Sequence, residues 1–480
     1  MNAPCTALLF ALLIPLAMVA PMSADATDHA NAPLPKNLPA YGAERSLPPL
    51  QIAQKTLSNG LTVWVLPRND GPPKVHFVLA VRGGLAADDF LHPGFAQLLA
   101  QLMKEGTLWR SSRRVAEDLQ SYGAEIDSEA GNDGIVLSAS GLASNAAKLI
   151  TLLSEIALQP AFAPDEVDLG KLNAVQALLV SKGEPGYLAQ RALVKLVYGH
   201  HPYGNTFATE KAILSVTPEM LRAEHARRFR PDSALLVIGG RIDQDAGFEL
   251  AERVFGDWRV DGKPLPEIAA APLTMPAQHV FVERDGSVQS AIRIGRPAIT
   301  ADSPDYFPLT LANAVLGSGF SSRLNQNLRE DKGYTYGAGS AFSPQRDGGS
   351  IIASANVRNE VTGATIGELV KEFGRLGNEP VPEAELVQTK RYLAGGYLLL
   401  NQSLGNVIGT LADFWLVGLP PQTLSEYVPK IQAVTAAQVQ AMGKKYYAPA
   451  QQSMVVVGDP GVRAQLKPYG GFPVTDKDNQ

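Results

Sequence analysis

Cysteine is all but missing: the sequence holds one, Cys5, close to its start. A single thiol gives no disulfide framework and no cysteine-built metal site. Basic runs are missing as well. The formal net charge is −5 and no Lys/Arg cluster supplies a local footprint, which excludes nucleic acid as a partner. The apolar run from Ala7 to Ala20 covers fourteen residues, short of the roughly 20 that a membrane-spanning helix needs. Small residues follow it, and Ala24-Asp25-Ala26 fits an A-x-A cleavage site. Residues 1–26 therefore read as a secretory signal peptide, although no Lys or Arg precedes the apolar run; the rival reading is an uncleaved anchor. Cys5 would leave with the signal. A thiol-free mature chain suits an oxidising compartment, and the expected location is the periplasm, with no stable membrane span after cleavage. Residues 27–46, rich in Ala, Pro and Asn, read as a flexible lead-in.

What is present is an ordinary globular composition, 45% hydrophobic and 19% charged, in a chain of 480 residues. That length exceeds what one core usually supports. The chain is also written twice. Shifted by 218 residues, the segment Val216 to Gly240 lies over Val434 to Gly458 without a gap, with Val216, Thr217, Ala223, Pro231, Val237 and Gly240 meeting identical residues. In each copy a Thr at an N-cap opens a helix, an aromatic-x-Pro follows, and a short β-branched run ends at Gly. Val75 to Val81 reads as a strand ahead of a helix from about Pro93; His279 to Ile294 and Pro304 to Leu316 give the second copy's counterparts. Asn59-Gly60 favours a tight antiparallel hairpin. The expected fold is α+β: two homologous α/β domains, each a mainly antiparallel sheet packed with helices. Their boundaries are 47–260 and 279–465, with a Pro/Ala-rich linker at 261–278 and a tail at 466–480.

The helix running through Phe95-Ala96-Gln97-Leu98-Leu99-Ala100-Gln101-Leu102-Met103-Lys104 has an apolar face of Phe95, Leu98, Leu99, Leu102 and Met103. Gln97 and Gln101 lie one turn apart on the opposite side, with Ala100 and Lys104 beside them. An HxxEH zinc motif would occupy this face, because two His four apart chelate one metal and the Glu takes a proton from its water. Glutamine is a poor zinc ligand and alanine accepts no proton. The third ligand, a Glu some seventy residues on, is also absent around Asn173 to Leu179. His76, His200 and His201 lack metal-ligand spacing and read as sheet or turn residues, and His225 as part of a surface helix. No metal is expected in this chain.

In the second half, Gly317-Ser318-Gly319 opens a glycine and serine loop running into a helix that ends near Lys332-Gly333, where Gly333 suits a left-handed C′ position. It lacks the Lys-Ser/Thr of a phosphate loop. Arg329 falls on the last helical turn, and Tyr334 and Tyr336 are expected on one face of an extended segment. A guanidinium and a phenol converging there would donate hydrogen bonds to a peptide carbonyl or its oxyanion. Spacing alone leaves the plainer reading open, an Arg in a surface ion pair and a Tyr packed at a sheet edge.

With these residues in view, the chain resembles the insulinase/pitrilysin family of zinc metallopeptidases over roughly residues 47 to 465. The motifs that carry the likeness are Leu57 to Leu61, Val81-Arg82-Gly83-Gly84, Gly94 to Thr107, Tyr198 to Gly204, and Gly317 through Tyr336. The resemblance implies two homologous domains in a half-shell that closes with another over a chamber. It also implies an Arg and a Tyr seven residues apart that hold substrate from the half-shell opposite the zinc; Arg329 and Tyr336 match that spacing and Tyr334 does not. Some members split the two roles between chains, as in bacterial two-subunit peptidases and mitochondrial processing peptidase. This chain looks like the non-zinc kind, inactive alone. Its implied partner is an HxxEH-bearing zinc subunit of similar length acting on peptides, with Gly317, Ser318 and Gly319 as a substrate-contacting loop. The alternative is a non-catalytic peptide-binding or scaffold protein of the same fold.

Overall fold

The computed structural model describes residues 46–259 and 262–475. The signal-peptide reading and nearly all of the lead-in fall outside the described residues. Two six-stranded sheets form from β-branched, alternating segments. The first holds β1 (Ala53–Thr56), β2 (Thr62–Pro67), β3 (Lys74–Arg82), β4 (Glu125–Ala130), β5 (Gly134–Leu142) and β6 (Ala234–Gly240), in the order β1-β2-β6-β3-β5-β4. The second holds β7 (His279–Glu283), β8 (Gln289–Ala298), β9 (Ala338–Pro344), β10 (Gly349–Arg358), β11 (Ser453–Gly458) and β12 (Val474–Thr475), in the order β12-β7-β11-β8-β10-β9. With β1 and β12 set aside, the two orders are the same. Only β2 with β6, β7 with β11 and β12 with β7 run parallel. The fold is α+β, with two mainly antiparallel sheets.

Local chemistry accounts for the repeated parts. Thr217 and Thr435 accept hydrogen bonds from the Met220 and Gln438 amides, capping helices Pro218–Arg228 and Ala436–Tyr446. The strands that follow, β6 and β11, are buried along their whole length, as continuous apolar runs require. The hairpin of β1 and β2 closes on Ser58, Asn59 and Gly60, where the Leu57 amide donates to the Leu61 carbonyl at 2.8 Å. Asn59 also donates to the Phe255 carbonyl at 2.7 Å, tying the turn to the end of helix Gln244–Phe255.

Two helices cross between the halves. Helix Pro185–Tyr198 packs on β8 and β11 of the second sheet, while helix Leu404–Leu416 packs on β3 and β6 of the first. Leu188, Ala192 and Val197 share a cluster with Val282, Ala291 and Val455; Val407, Ile408 and Leu411 share another with Trp64, Val78 and Val237. These helices begin at positions separated by the repeat's own offset to within one residue.

Residues 262–278 carry no helix or strand, yet they are fastened down. Arg230 donates to the Gly262 carbonyl at 3.0 Å, the Ala271 amide to the Asp347 carbonyl at 2.6 Å, and Arg296 to the Leu273 carbonyl at 3.1 Å. The sequence also showed no element in the tail, where Val474–Thr475 adds β12 beside β7. No helix among the described residues is long and apolar enough to cross a membrane.

Candidate functional site

Helix Phe95–Met103 is aimed by a buried ion pair. The Asp88 carboxylate accepts from the Ala96 amide at 3.1 Å and from the Arg228 guanidinium at 2.8 Å, both side chains being essentially inaccessible. Arg228 reaches further, to the Gly83 and Gly84 carbonyls at 2.9 Å and to Glu224. Burial pushes the Asp88 carboxyl up to about 6 against the pull of Arg228.

The helix's apolar residues all enter the core. Gln97 accepts from the Ala130 amide on β4 at 3.3 Å, and Lys104 donates to Asp127 on the same strand at 2.6 Å, a bond that holds the Asp127 carboxyl below its usual range. Gln101 is exposed. Ala100, beside the glutamines, is fully buried, so the side opposite the apolar face is only partly open to solvent. The helix is covered by β4 as well as by the core, and the general-base position now fills apolar space. On helix Pro164–Gly183 the stretch Asn173 to Leu179 holds no acid. These residues do not fit a zinc ion. Among the described residues no group of three or more His, Cys, Asp or Glu is placed to hold any metal.

The second region starts where helix Tyr306–Gly317 meets β9. A Cβ on Gly317 would lie 2.2 Å from the Ser340 amide nitrogen, so this glycine lets helix and strand approach, and it is buried. Ser318 is half-buried and accepts from Asn313 at 2.9 Å. Gly319, also half-buried, lies against the Tyr392 ring, and its carbonyl accepts from the Ser322 hydroxyl at 2.6 Å. What the loop presents to solvent is Phe320, 76% exposed. Arg323 fixes the loop's far end through a bidentate pair with Glu385, at 2.7 and 2.9 Å.

Arg329 sits on a π-helical turn, Gln326–Asp331, which ends through the Gly333 amide on the Arg329 carbonyl at 3.2 Å, with Gly333 left-handed at φ +60. Its guanidinium lies 5.1 Å from the centre of the Phe320 ring and 3.5 Å from the Glu330 carboxylate. Glycine loop and arginine are thus brought together, with Phe320 between them. Tyr336 belongs to a separate loop. The expected shared strand face with Tyr334 is corrected: β9 begins only at Ala338, Tyr334 packs against the second core, and Tyr336 is 95% exposed. Thr335 holds that loop by bonding the Asn356 carbonyl.

Phe320, Arg323 and Tyr392 were not singled out in the sequence. Phe320 was the readable one, an aromatic in a Gly/Ser loop with no apolar periodicity to bury it. Of the histidines read as sheet or turn residues, His76 lies on β3 and His201 just before the turn Pro202–Asn205. His201 bonds the Ala269 carbonyl at 2.8 Å. His225 lies on a surface helix, Pro218–Arg228, with its ring stacked on Phe229 at 4.5 Å, edge-on to Phe162 and bonded to the Ala157 carbonyl. Burial drives its pKa down to about 4.

Comparison with known proteins agrees with this geometry. Residues 63–211 match the family model for Insulinase (Peptidase family M16), and residues 215–393 match that for the Peptidase M16 inactive domain. A Bacillus subtilis protein named as an uncharacterized zinc protease, YmxG, is 23% identical over 359 residues, covering 74% of this chain and 86% of the relative. A Helicobacter pylori protein named Non-peptidase homolog YmxG is 24% identical over 361 residues, covering 74% of this chain and 82% of the relative. Among solved structures, a peptidase M16 inactive domain from Pseudomonas fluorescens superposes with a TM-score of 0.79 at 25% identity, covering 85% of this chain and 98% of that one. A protease from Helicobacter pylori superposes with a TM-score of 0.76 at 18% identity, covering 85% and 100%.

Proposed function

Because this chain belongs to the insulinase family, peptidase family M16, with its second half of the inactive-domain type, we propose that it is the non-zinc subunit of a periplasmic heterodimeric metalloendopeptidase. In this reading a partner of similar length carries HxxEH and its zinc, and this chain supplies Arg329 and Tyr336 to peptide substrates. One observation carries it: the helix at the metal position has Gln97 and Gln101 where ligands would stand and Ala100 where the base would, while the Tyr336 phenol stands open to solvent. A phenol and a guanidinium both donate hydrogen bonds, and their work here is to hold a scissile carbonyl and the charge that develops on it. For Arg329 this requires giving up Glu330 and Phe320, two exposed partners that cost little to leave. Phe320 and the half-buried Ser318 and Gly319 form the adjoining peptide-contacting loop.

The test is peptidase activity in material co-purified with the tagged mature chain, using quenched peptides. Activity that a chelator removes, that zinc restores, and that the isolated chain lacks is the expected result. An inactive preparation without a zinc-bearing partner overturns the reading. It would favour the second one, a non-catalytic peptide-binding scaffold, which draws support from the name of the Helicobacter relative, a non-peptidase homolog.

A further inference from the structure

A cavity of about 310 Å³ lies where the two halves and the segment between them meet. Its walls come from the end of β3 (Arg82 to Gly84), the β4–β5 turn at Asp133, Leu265, and the β9–β10 turn at Arg346 and Asp347. Leu265 presses close: its Cδ1 would lie 2.3 Å from a Cβ at Gly83, whose φ of +104 also favours glycine. Ligand sites run from about 300 to 1,000 Å³, so this space suits a small molecule.

The charges in it are only partly matched. Asp133 is satisfied, its two oxygens taking the Tyr203 hydroxyl and the Arg346 amide. Arg82 stacks 4.3 Å over Trp415 and gives one hydrogen bond to that residue's carbonyl, at 3.3 Å, but its Nε is buried with no partner. Burial lowers its pKa to about 10. Asp347 is held by its backbone, the amide on Tyr203 at 3.1 Å and the carbonyl on Ala271, which leaves the carboxylate to the cavity. Burial raises the Asp347 carboxyl, with Asp133 and Glu267 adding to the rise and Arg346 and His201 opposing it. The Asp347 charge acts on Arg82, although the two do not close to an ion pair. A buried donor left unmade is costly, and a guest that pairs with the Arg82 guanidinium as well as with the Asp347 carboxylate offsets that cost.

We propose that this cavity binds a small zwitterion, an α-amino acid or a dipeptide, with its carboxylate on Arg82 and its ammonium on Asp347. The site is separate from Arg329 and Tyr336 and does not depend on their role.

The experiment is calorimetric titration of the full mature chain with L-alanine, Ala-Ala, N-acetyl-Ala-Ala and Ala-Ala amide. Ala-Ala or alanine binds, which of the two fixing the source, and blocking either terminus weakens binding about tenfold or more. Asp347→Asn removes the penalty for acetylation while retaining that for amidation. Ala87→Leu, which fills the cavity without touching either charge, abolishes binding of every probe. Equal binding of free and blocked probes, or no heat with any of them at millimolar concentration, overturns the proposal; so does Asp347→Asn leaving the acetylation penalty intact.

Discussion

The Thr335 hydroxyl donates to the carbonyl of Asn356 at 2.7 Å and accepts the Gly337 amide at 3.2 Å. Asn356 belongs to β10, an inner strand, so a loop without regular structure is fastened to the sheet one residue before its exposed tyrosine. Tyr336 is held by the hydroxyl bonds of its neighbour Thr335 and contributes little burial of its own. A side chain kept in place this way can be altered with little effect on folding.

Tyr336→Phe removes one hydroxyl from a side chain that is 95% exposed. In the co-purified complex turnover should fall by about 10²-fold, the lower end for one preorganised donor, with no change in the melting of this chain. Unchanged kcat sinks the assigned role.

Thr335→Val keeps the shape and deletes the fastening. The expected loss of stability is about 1 kcal/mol, one net hydrogen bond, read as a shift in urea midpoint. Turnover should drop toward that of Tyr336→Phe because the phenol loses its fixed stem. A stability loss with full turnover would separate the loop from catalysis.

His225 makes a pH prediction. Its folded pKa of about 4 lies below the unfolded value near 6.5, so the unfolded chain takes up the proton first as pH falls. The stability tied to the neutral ring is complete above about 6.5 and is lost as pH falls through 4. Asp88, raised to about 6, acts in the opposite sense, so the useful quantity is the difference between parent and variant. His225→Gln should flatten the decline in urea midpoint between these limits; an identical pH profile refutes the assignment.

Arg228→Ala leaves Asp88 buried beside the Gly83 and Gly84 carbonyls without its cation. Loss of one member of a buried pair costs about 3–5 kcal/mol. Asp88→Asn alongside it should recover part of that loss, since the carboxylate is then gone. Melting temperatures of the single and double variants decide the matter, and a cost under about 1 kcal/mol for Arg228→Ala would contradict it.

The repeat was legible because it rests on short-range chemistry: a Thr cap, a helix, an aromatic-x-Pro and a buried run ending at Gly recur in Val216 to Gly240 and Val434 to Gly458. The loss of metal ligands was legible for a similar reason, since ligand identity and four-residue spacing are written in the sequence itself. Tyr336 was placed wrongly in detail because period two predicts a strand only where a neighbour strand pairs, and β9 starts two residues later. The π turn under Arg329 had no sequence signal, and Ala100 is buried in a core gathered from segments distant in sequence. His225 lies on a surface helix as the sequence indicated, but the cover its ring receives from Phe162, on another segment, had no local signal.

The crossing of helices Pro185–Tyr198 and Leu404–Leu416 has a consequence for any attempt to divide the molecule. Cutting between the halves would leave each fragment with a sheet whose one face is bare and a greasy helix with nothing to rest on. Neither fragment would be soluble by itself, whereas the two expressed together would reassemble as mutual chaperones. Heating should accordingly melt the whole in a single step, although the sequence is written as two units.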